Sequence, residues 1–563
     1  MNAPDLRLEG VRAAAMETAR SRLMIFALFF GLVFLVMAVR TIRLGVFEAT
    51  VETAERDIAF VPPHASRADI LDRNGVVLAT SLKTASLYAD PARVLDPEAA
   101  TEALTALFPD LAAAPLLEKL KSGRRFEWIK RKLTPKQVAD ANALGLPGFD
   151  FKTEETRVYP HGRLVAHAVG MTDIDGNGLS GIEHFFNDRL SDITRTSRPL
   201  QLSLDIRVQY AVSDELDRAI ALFDAKGGAG IVMDVRSGEL LALVSKPDFD
   251  PNRIEGVARE RLFNRATQGV YELGSTFKSF TVALALESGT ASIDSRYDAR
   301  EPLKVSRFLI RDDHPQNRIL TLPEVFVHSS NIGAAKMAME AGIERQRAFL
   351  ANLGLLREPT IELSEIGRPI VPEPWREING MTIAYGHGIA VSPLHLSAAL
   401  AALVNGGVLH PATLIAKPDD EPVTGRRVVS PEVSREMQRL MRLVVREGTA
   451  RQADVAGYRV GGKTGTAEKA TAGGYARDAV ISSFAGIFPS DDPRYLVFLL
   501  VDEPKGTRAT LNYAGGGWTA APAVANVVRR IAPLLGVSPG DEDPALFQRA
   551  AYRIADSRKG GRP

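Results

Sequence analysis

The chain has 563 residues, 45% of them hydrophobic, and a formal net charge of +1 at pH 7. This length predicts several domains with buried cores, and the balanced charge gives no indication of a nucleic acid or other polyanionic partner. The chain contains no cysteine, which excludes disulfides, a cysteine nucleophile and a cysteine-ligated metal.

The first element in chain order is an apolar segment, Leu23 to Val39, with seventeen residues and no charged side chain. This length lies at the lower end for a helix that spans a bilayer. Arg20 and Arg22 precede the segment, Arg40 and Arg43 follow it, and the basic residues counted over both flanks favour a cytoplasmic N-terminus. A cleaved signal peptide is the alternative, which the absence of a small-residue cleavage site disfavours.

Composition and turn residues divide the whole chain into six predicted parts. They are a cytoplasmic tail (1–22), a transmembrane helix (23–39), a helical stalk (40–59), a non-catalytic module (60–202), a catalytic domain (203–537) and a polar tail predicted to be disordered (538–563).

The module at 60–202 combines turns and short β-like runs with helical stretches at 98–107 and 135–143, and it contains no catalytic constellation. Its charged residues Asp72, Arg73 and Glu183 are interpreted as a structural ion-pair network, because such groups near turns usually hold loops together.

The domain at 203–537 has strand patterns at both ends and helical patterns between them. A hairpin is predicted from 230–235 and 239–244, a strand meander from 458–463, 481–488 and 495–501, and helices from 394–403 and 433–445. Strands flanking helices in this order predict an α+β fold with an antiparallel sheet.

Three short motifs carry the candidate chemistry. They are Ser275-Thr276-Phe277-Lys278, Ser329-Ser330-Asn331 and Lys463-Thr464-Gly465-Thr466. The first two motifs, taken alone, are each expected by chance about once or twice in a chain of this length, so the order and spacing of the set carry the inference.

Ser275 begins a helical pattern that Gly289 ends, and Lys278 lies one turn further on the same face. A serine hydroxyl becomes a good nucleophile when a neighbouring base takes its proton. Lys278 can be that base if burial or a second cation destabilises its ammonium form, and Lys463 is a candidate for the cation. Ser275 alone would more simply be a helix N-cap.

With these motifs the chain resembles the class B penicillin-binding proteins, membrane-anchored D,D-transpeptidases of peptidoglycan synthesis. Residues 67–75 (RADILDRNG) are similar to the family's R-G-x-I-x-D-R-N-G, with Ala68 in place of glycine. Residues 157–183 resemble a second block, and 202–209 (LSLDIRVQ) resemble the strand that enters the catalytic domain. The resemblance covers roughly residues 20 to 535.

The resemblance implies that Ser275 attacks the D-Ala–D-Ala bond of a donor stem peptide and that an amine of a neighbouring stem resolves the acyl-enzyme. It implies that Lys278 takes the serine proton, that Ser329 passes a proton to the leaving group, and that the Asn331 amide orients the peptide. No metal or cofactor is expected.

The third motif implies substrate binding. Lys463, Thr464 and Thr466 would hold a C-terminal carboxylate, and Gly465 would let the backbone approach closely. An edge strand there can take an extended peptide as a further strand. Backbone N–H groups of Ser275 and Thr466 would form the family's oxyanion hole.

Residues outside the motifs have less specific expectations. His387, in Tyr385-Gly386-His387-Gly388, is a candidate general acid, although a loop histidine is the favoured interpretation. Leu273 stands where the family commonly has proline, which affects rigidity rather than chemistry. The pair Asp313-His314 has no visible partner, so a metal site there is not expected.

Two other classes of function compete with the transpeptidase. The first is a β-lactamase or carboxypeptidase. A class A β-lactamase needs a glutamate to activate the deacylating water. No E-x-x-L-N motif lies between Asn331 and Lys463, which disfavours this class. A β-lactam sensor or non-catalytic divisome scaffold is the other. A sensor is disfavoured because only about 22 residues precede the single span.

Residues 72–79, 87–91 and 128–131 resemble the division-specific branch more closely than the elongation-type branch. The implied partners are peptidoglycan stem peptides and lipid-linked precursor strands, a polytopic glycosyltransferase, other divisome membrane proteins, and β-lactams as inhibitors. The implied location is the inner membrane at the septum, with a periplasmic catalytic domain and a pedestal or dimerisation-type module at 60–202.

Overall fold

The computed structural model describes residues 6–43, 67–192, 194, 198–305, 308–418, 421–471, 474–543, 552 and 554. It divides into two compact units, Met1–His64 and Ala65–Pro563. The described part of the first unit is one helix, Leu6–Arg43. Its stretch Arg20–Val39 is long and apolar enough to cross a bilayer, and its large apolar side chains are exposed. Residues 44–59 of the predicted stalk lie outside the described residues.

The second unit begins with a five-stranded sheet built around the long strand Val77–Ala89. This strand pairs antiparallel with Ile70–Leu71, Glu127–Leu133 and Phe149–Val158. Leu200–Gln201 joins in parallel beside Ile70–Leu71, so the chain leaves this module next to the point where it enters. The helical prediction for this module is confirmed by Pro97–Leu107 and Pro135–Ala143, with Ala113–Leu120 as a further helix.

Two separate cores stabilise this part of the chain. Leu87, Leu104 and Ile129 belong to a small core at the far end of the module. Ile70 and Ile182, by contrast, belong to the large core of the catalytic half. The base of the module and the catalytic half therefore share one hydrophobic core.

The catalytic half is built on a five-stranded antiparallel sheet. Its strands lie in the order Gly461–Thr471, Gly474–Phe488, Tyr495–Asp502, Gly227–Asp234 and Leu240–Lys246. Helices Ile206–Leu222 and Ala520–Leu534 pack together on this sheet, and Pro393–Val404 and Pro431–Glu447 also contact it. This covering explains why the central strand Tyr495–Asp502 is buried along its whole length and is almost entirely apolar.

The predicted α+β class is confirmed, and so are the hairpin and the meander. Among the described residues, the remaining α-helices are Ala166–Val169, Gly181–Phe185, Asn187–Ser191, Arg259–Leu262, Lys278–Glu287, Leu322–Val327, Asn331–Ala341, Ile343–Asn352 and Glu377–Ile383. The remaining strands are Met171–Thr172, Gly178–Ser180, Arg296–Asp298, Leu303–Val305, Phe308–Ile310, Ile319–Thr321, Val408–Leu409 and Arg426–Arg427.

The strand expected at 202–209 is wrong, because the strand is Leu200–Gln201, Leu202 forms only an isolated bridge, and a helix begins at Ile206. The Asp205 side chain accepts a hydrogen bond from the Arg207 backbone N–H and caps this helix. This cap sets the start of the helix inside the segment where the resemblance implied a strand.

Glu183 lies in the predicted ion-pair network. It is fully buried, and its carboxylate accepts hydrogen bonds from Arg67 Nε at 2.5 Å and Arg157 Nε at 2.6 Å. This group joins the start of the module to its last long strand and to the helix Gly181–Phe185.

Within the described part of the chain no salt bridge reaches Asp72, and its buried carboxylate anchors a turn. It accepts hydrogen bonds from the backbone N–H groups of Asn74 at 2.7 Å and Val76 at 2.9 Å. Arg73 contributes its carbonyl oxygen, which accepts from Gln201 Nε2 at 3.0 Å.

Part of the tail predicted to be disordered packs on the helix Pro431–Glu447. Arg442 Nε donates to Glu542 Oε1 at 2.6 Å, and the buried Tyr552 hydroxyl contacts Glu436. Most of 544–563 lies outside the described residues, so the disordered tail stays a prediction.

Candidate active site

The first motif forms a helix start. Gly274–Phe277 make a 3-10 turn that continues into the helix Lys278–Glu287. Lys278 Nζ donates a hydrogen bond to Ser275 Oγ at 2.9 Å. Ser275 is half-buried and Lys278 is 1% exposed, so the hydroxyl is reachable while the amine is shielded from water.

The second motif is a turn between two helices. Ser329 has a φ of 59°, which is uncommon for a residue with a side chain. Ser330 then caps the helix Asn331–Ala341. Lys278 Nζ donates to the Ser329 carbonyl at 2.7 Å, to Ser329 Oγ at 3.0 Å and to Asn331 Oδ1 at 2.6 Å. This turn therefore faces Lys278 with three acceptors.

The third motif lies on the edge strand Gly461–Thr471, and Lys463 extends from it towards the same hydroxyl. Lys463 Nζ donates to Ser329 Oγ at 3.1 Å and to the Thr464 carbonyl at 3.2 Å, and it lies 5.9 Å from the centre of the Phe326 ring. All three motifs thus meet at Ser329 Oγ.

Two glycines allow the first and third motifs to approach this closely. A Cβ at Gly465 would lie 2.5 Å from both the Leu273 carbonyl oxygen and Ser483 Oγ. A Cβ at Gly274 would lie 2.4 Å from the Thr466 carbonyl oxygen. The backbones of the nucleophile turn and the edge strand are therefore in direct contact.

The two threonines of the third motif differ in exposure. Thr464 is buried, and its Oγ1 lies 2.7 Å from Thr449 Oγ1. Thr466 is exposed, and its Oγ1 accepts a hydrogen bond from the Gly516 backbone N–H at 3.0 Å. An exposed Thr466 beside Ser275 leaves room for a ligand at this edge.

Burial determines the charge state of both lysines. It lowers the pKa of Lys278 to about 8, while Asp313 and Asp312 raise that pKa. The pKa of Lys463 lies well below its usual range, first because of burial and then because of the Lys278 charge. Near neutral pH a fraction of Lys278 is therefore a free amine, which can accept the Ser275 proton.

Residues 228–529 match the family of the penicillin binding protein transpeptidase domain, and residues 62–192 match the penicillin-binding protein dimerisation domain. The first match covers more than half of the chain. The chain belongs to the penicillin-binding protein transpeptidase family.

Three relatives of this penicillin-binding protein cover most of its length. The probable peptidoglycan D,D-transpeptidase FtsI of Caulobacter vibrioides is 42% identical over 84% of this chain and 82% of the relative. The stage V sporulation protein D of Bacillus subtilis is 31% identical over 93% of this chain and 87% of the relative. The peptidoglycan D,D-transpeptidase FtsI of Escherichia coli is 29% identical, with 84% of each covered.

Solved structures agree with the fold. The transpeptidase domain of penicillin-binding protein 3 from Burkholderia pseudomallei aligns with a TM-score of 0.55 at 34% identity, covering 61% of this chain and 98% of that one. Penicillin-binding protein 3 from Mycobacterium tuberculosis, in complex with aztreonam, aligns with a TM-score of 0.66 at 23% identity, covering 84% of this chain and 97% of that one.

Sequence reasoning missed a buried carboxylate of this penicillin-binding protein. Asp312 Oδ2 accepts a hydrogen bond from Ser330 Oγ at 2.8 Å, and its Oδ1 accepts from the Ile332 backbone N–H at 2.9 Å. Asp312 lies directly before the pair Asp313-His314, but no periodicity connects it with a turn eighteen residues later. Its role is visible only in three dimensions.

His387 lies in a loop beside the site. Its Nδ1 is 3.5 Å from Glu272 Oε2, and burial together with the Lys278 charge lowers its pKa. A lowered pKa keeps the imidazole neutral, which favours the interpretation as a loop histidine over a general acid. Among the described residues, no group of three or more His, Asp or Glu side chains is arranged to hold a metal ion.

Proposed function

We propose that this protein is a peptidoglycan D,D-transpeptidase that cross-links stem peptides at the division septum through an acyl-enzyme on Ser275. β-Lactams inhibit it by acylating the same serine. One observation carries the proposal: Lys278 Nζ contacts Ser275 Oγ at 2.9 Å and Ser329 Oγ at 3.0 Å from a buried position. The names of the two FtsI relatives support the same reaction.

In the first step the neutral amine of Lys278 takes the Ser275 proton while Ser275 Oγ attacks the carbonyl carbon of the penultimate D-alanine. The developing oxyanion accepts hydrogen bonds from the backbone N–H groups of Ser275 and Thr466. Removing one such donor typically raises a barrier by about 3–4 kcal/mol. The direct contact of these two backbones supports this arrangement.

In the second step the tetrahedral intermediate collapses, the C–N bond breaks, and the amine of the terminal D-alanine leaves. Ser329 gives its hydroxyl proton to that nitrogen and regains one from Lys278, whose Nζ is 3.0 Å away. An acceptor amine then attacks the Ser275 ester and loses its proton along the reverse route. The acceptor takes the place of D-alanine and the enzyme is regenerated.

The donor peptide binds as an extra strand along the edge strand Gly461–Thr471. Its terminal carboxylate is held by Lys463, Thr464 and Thr466, and this negative charge favours the ammonium form of the buried Lys463. Asn331 Nδ2 donates to the Arg311 carbonyl at 2.9 Å and has a second hydrogen with which to orient the peptide.

The helix Arg20–Val39 anchors the protein in the inner membrane, with its N-terminus in the cytoplasm and the catalytic half in the periplasm. The septal role is supported by 42% identity to a relative named FtsI. A polytopic glycosyltransferase supplies the glycan strands, and it docks with other divisome proteins on the module at 60–202.

The test is a donor peptide ending in D-Ala–D-Ala, offered to the full-length protein in detergent together with an amine acceptor. We expect D-alanine release and a product in which acceptor replaces D-alanine, and neither with Ser275→Ala. Hydrolysed donor without acceptor product would indicate a carboxypeptidase and contradict the proposal. D-alanine release by Ser275→Ala would contradict the nucleophile.

A further inference from the structure

Asp312 is a buried carboxylate outside the three motifs, 8% exposed, two residues after the strand Phe308–Ile310. It accepts one hydrogen bond from the Ser330 hydroxyl and one from the Ile332 backbone N–H. Ser330 belongs to the turn that carries Ser329, and Ile332 lies in the first turn of the helix that follows. Burying a carboxylate is costly unless it is hydrogen-bonded, so this pairing holds the two segments together.

The turn needs such an anchor because its own backbone does not favour its shape. Ser329 occupies the left-handed region, which a serine adopts only when its surroundings hold it there. Ser330 Oγ accepts from the Gly333 backbone N–H at 3.0 Å while it donates to Asp312. Asp312 therefore fixes the direction of the hydroxyl that begins the next helix.

A second contact from the same segment reaches the motif. Asn331 Nδ2 donates to the Arg311 carbonyl, and Asn331 Oδ1 accepts from Lys278 Nζ at 2.6 Å. Residues 311 and 312 thus hold both sides of a turn whose acceptors surround the Lys278 amine.

We propose that Asp312 is a positioning residue for acyl transfer, which holds the Ser329–Asn331 turn where Lys278 Nζ is shared between Ser275 and Ser329. This inference rests on the proposed function and deepens it. Asp312 does not contact the substrate: it acts through Ser330 and Ile332.

The charge of Asp312 makes the role measurable. In the part of the chain that the structure describes, four charged or titratable groups interact electrostatically with Lys278: Asp312 and Asp313 from one segment, Lys463 from the edge strand and His387 from its loop. Asp312 and Asp313 raise the pKa of Lys278 against the effect of burial. Removing either carboxylate therefore lowers that pKa further and moves the pH midpoint of acylation downwards.

Three variants separate the charge from the anchor. Asp313→Asn removes only charge, because exposed Asp313 makes no hydrogen bond to this turn within the described part of the chain. Ser330→Ala keeps both carboxylates and removes the anchored hydroxyl, which is also the N-cap of the helix Asn331–Ala341. Asp312→Asn removes the charge and weakens the anchor.

The measurement is the rate of penicillin acylation against pH, by intact mass, with a thermal melt of each variant. Asp312→Asn should lower the high-pH plateau about tenfold, the effect of losing one hydrogen bond to a charged group, and move the midpoint to lower pH. Asp313→Asn should move the midpoint and keep the plateau. Ser330→Ala should lower the plateau and keep the midpoint.

A wild-type plateau and midpoint in Asp312→Asn would overturn the inference. So would a plateau that falls only in proportion to the unfolded fraction, with an unmoved midpoint, because that result describes a merely structural residue. If the wild-type protein forms no penicillin adduct at all, the proposed function itself fails. The two failures are therefore distinguishable.

Discussion

Two buried lysines donate to one oxygen, Ser329 Oγ, at 3.0 Å from Lys278 and 3.1 Å from Lys463. Two ammonium groups so close to each other and so far from water are unfavourable, and both lysines have lowered pKa values. The sequence hypothesis named burial or a second cation as the means of activating Lys278. Burial lowers the pKa of Lys278, whereas burial and then the charge of Lys278 lower the pKa of Lys463.

The first prediction is a pH dependence set by Lys278. Below pH about 8 its amine is protonated and cannot take the Ser275 proton, so the acylation rate should fall about tenfold per pH unit and level off above the midpoint. Stopped-flow acylation with a penicillin across pH 6–10 checks this. A rate that is flat from pH 6 to 8 would contradict the assignment of Lys278 as the base.

The second prediction concerns Lys463 as the carboxylate clamp. Lys463→Gln should slow acylation by a penicillin about ten- to hundredfold, the value of a hydrogen bond between charged partners. Acylation by the methyl ester of the same penicillin, which lacks the charge, serves as the control and should slow much less. Equal slowing for acid and ester would exclude the clamp.

At the scale of residues, the order and spacing of the three motifs predicted that their serine, lysine and asparagine side chains lie together. Their roles stay predictions until such variants are made. Asp312 was unpredictable, since its partners Ser330 and Ile332 lie 18 and 20 residues further along the chain. A contact across that separation depends on tertiary packing that no local pattern encodes.

At the scale of elements, the edge strand runs further than its sequence suggested. The prediction placed it at 458–463, but the strand begins three residues later and is Gly461–Thr471. Lys463 to Thr466 pair in order with residues 485 to 482 of the neighbouring strand. Polar and small residues remain in a strand when its backbone is paired on one side and its other side is kept for a ligand.

The third prediction tests the contact between this strand and the nucleophile turn. Gly465→Ala would force a Cβ to 2.5 Å from the Leu273 carbonyl oxygen, so strand and turn must separate. Overpacking of this kind costs about 1–3 kcal/mol, and acylation should fall sharply. Gly461→Ala, in the same strand, is the milder control, because its added Cβ would lie 3.1 Å from the nearest atom. Unchanged acylation in Gly465→Ala would show that the contact is dispensable.

At the scale of the whole molecule, the module at 60–202 and the catalytic half were predicted as separate domains, and they share a hydrophobic core. Ile70 and Ile182 pack in the same core as Phe280 and Val497. Composition predicts a boundary near 202, and that boundary stays a prediction. Shared burial across it is invisible in a linear sequence. The two parts should therefore unfold together.

The fourth prediction uses the buried group around Glu183, which joins three segments of the module. Glu183→Gln leaves Arg67 and Arg157 buried without their counter-charge, which typically costs about 3–5 kcal/mol. The melting temperature should fall clearly. The control is Glu98→Gln, which removes the exposed pair with Lys121 and should change nothing measurable. Equal melting temperatures in both variants would mean that the buried network does not stabilise the fold.

The most direct test of the central claim is the covalent adduct itself. Intact-mass analysis of the full-length protein after incubation with a penicillin should show the gain of one penicillin molecule, localised by peptide mapping to Ser275. Ser275→Ala, at an unchanged melting temperature, should gain nothing. An adduct on Ser275→Ala, or no adduct on the wild-type protein, would contradict the account of this site as a serine acyltransferase.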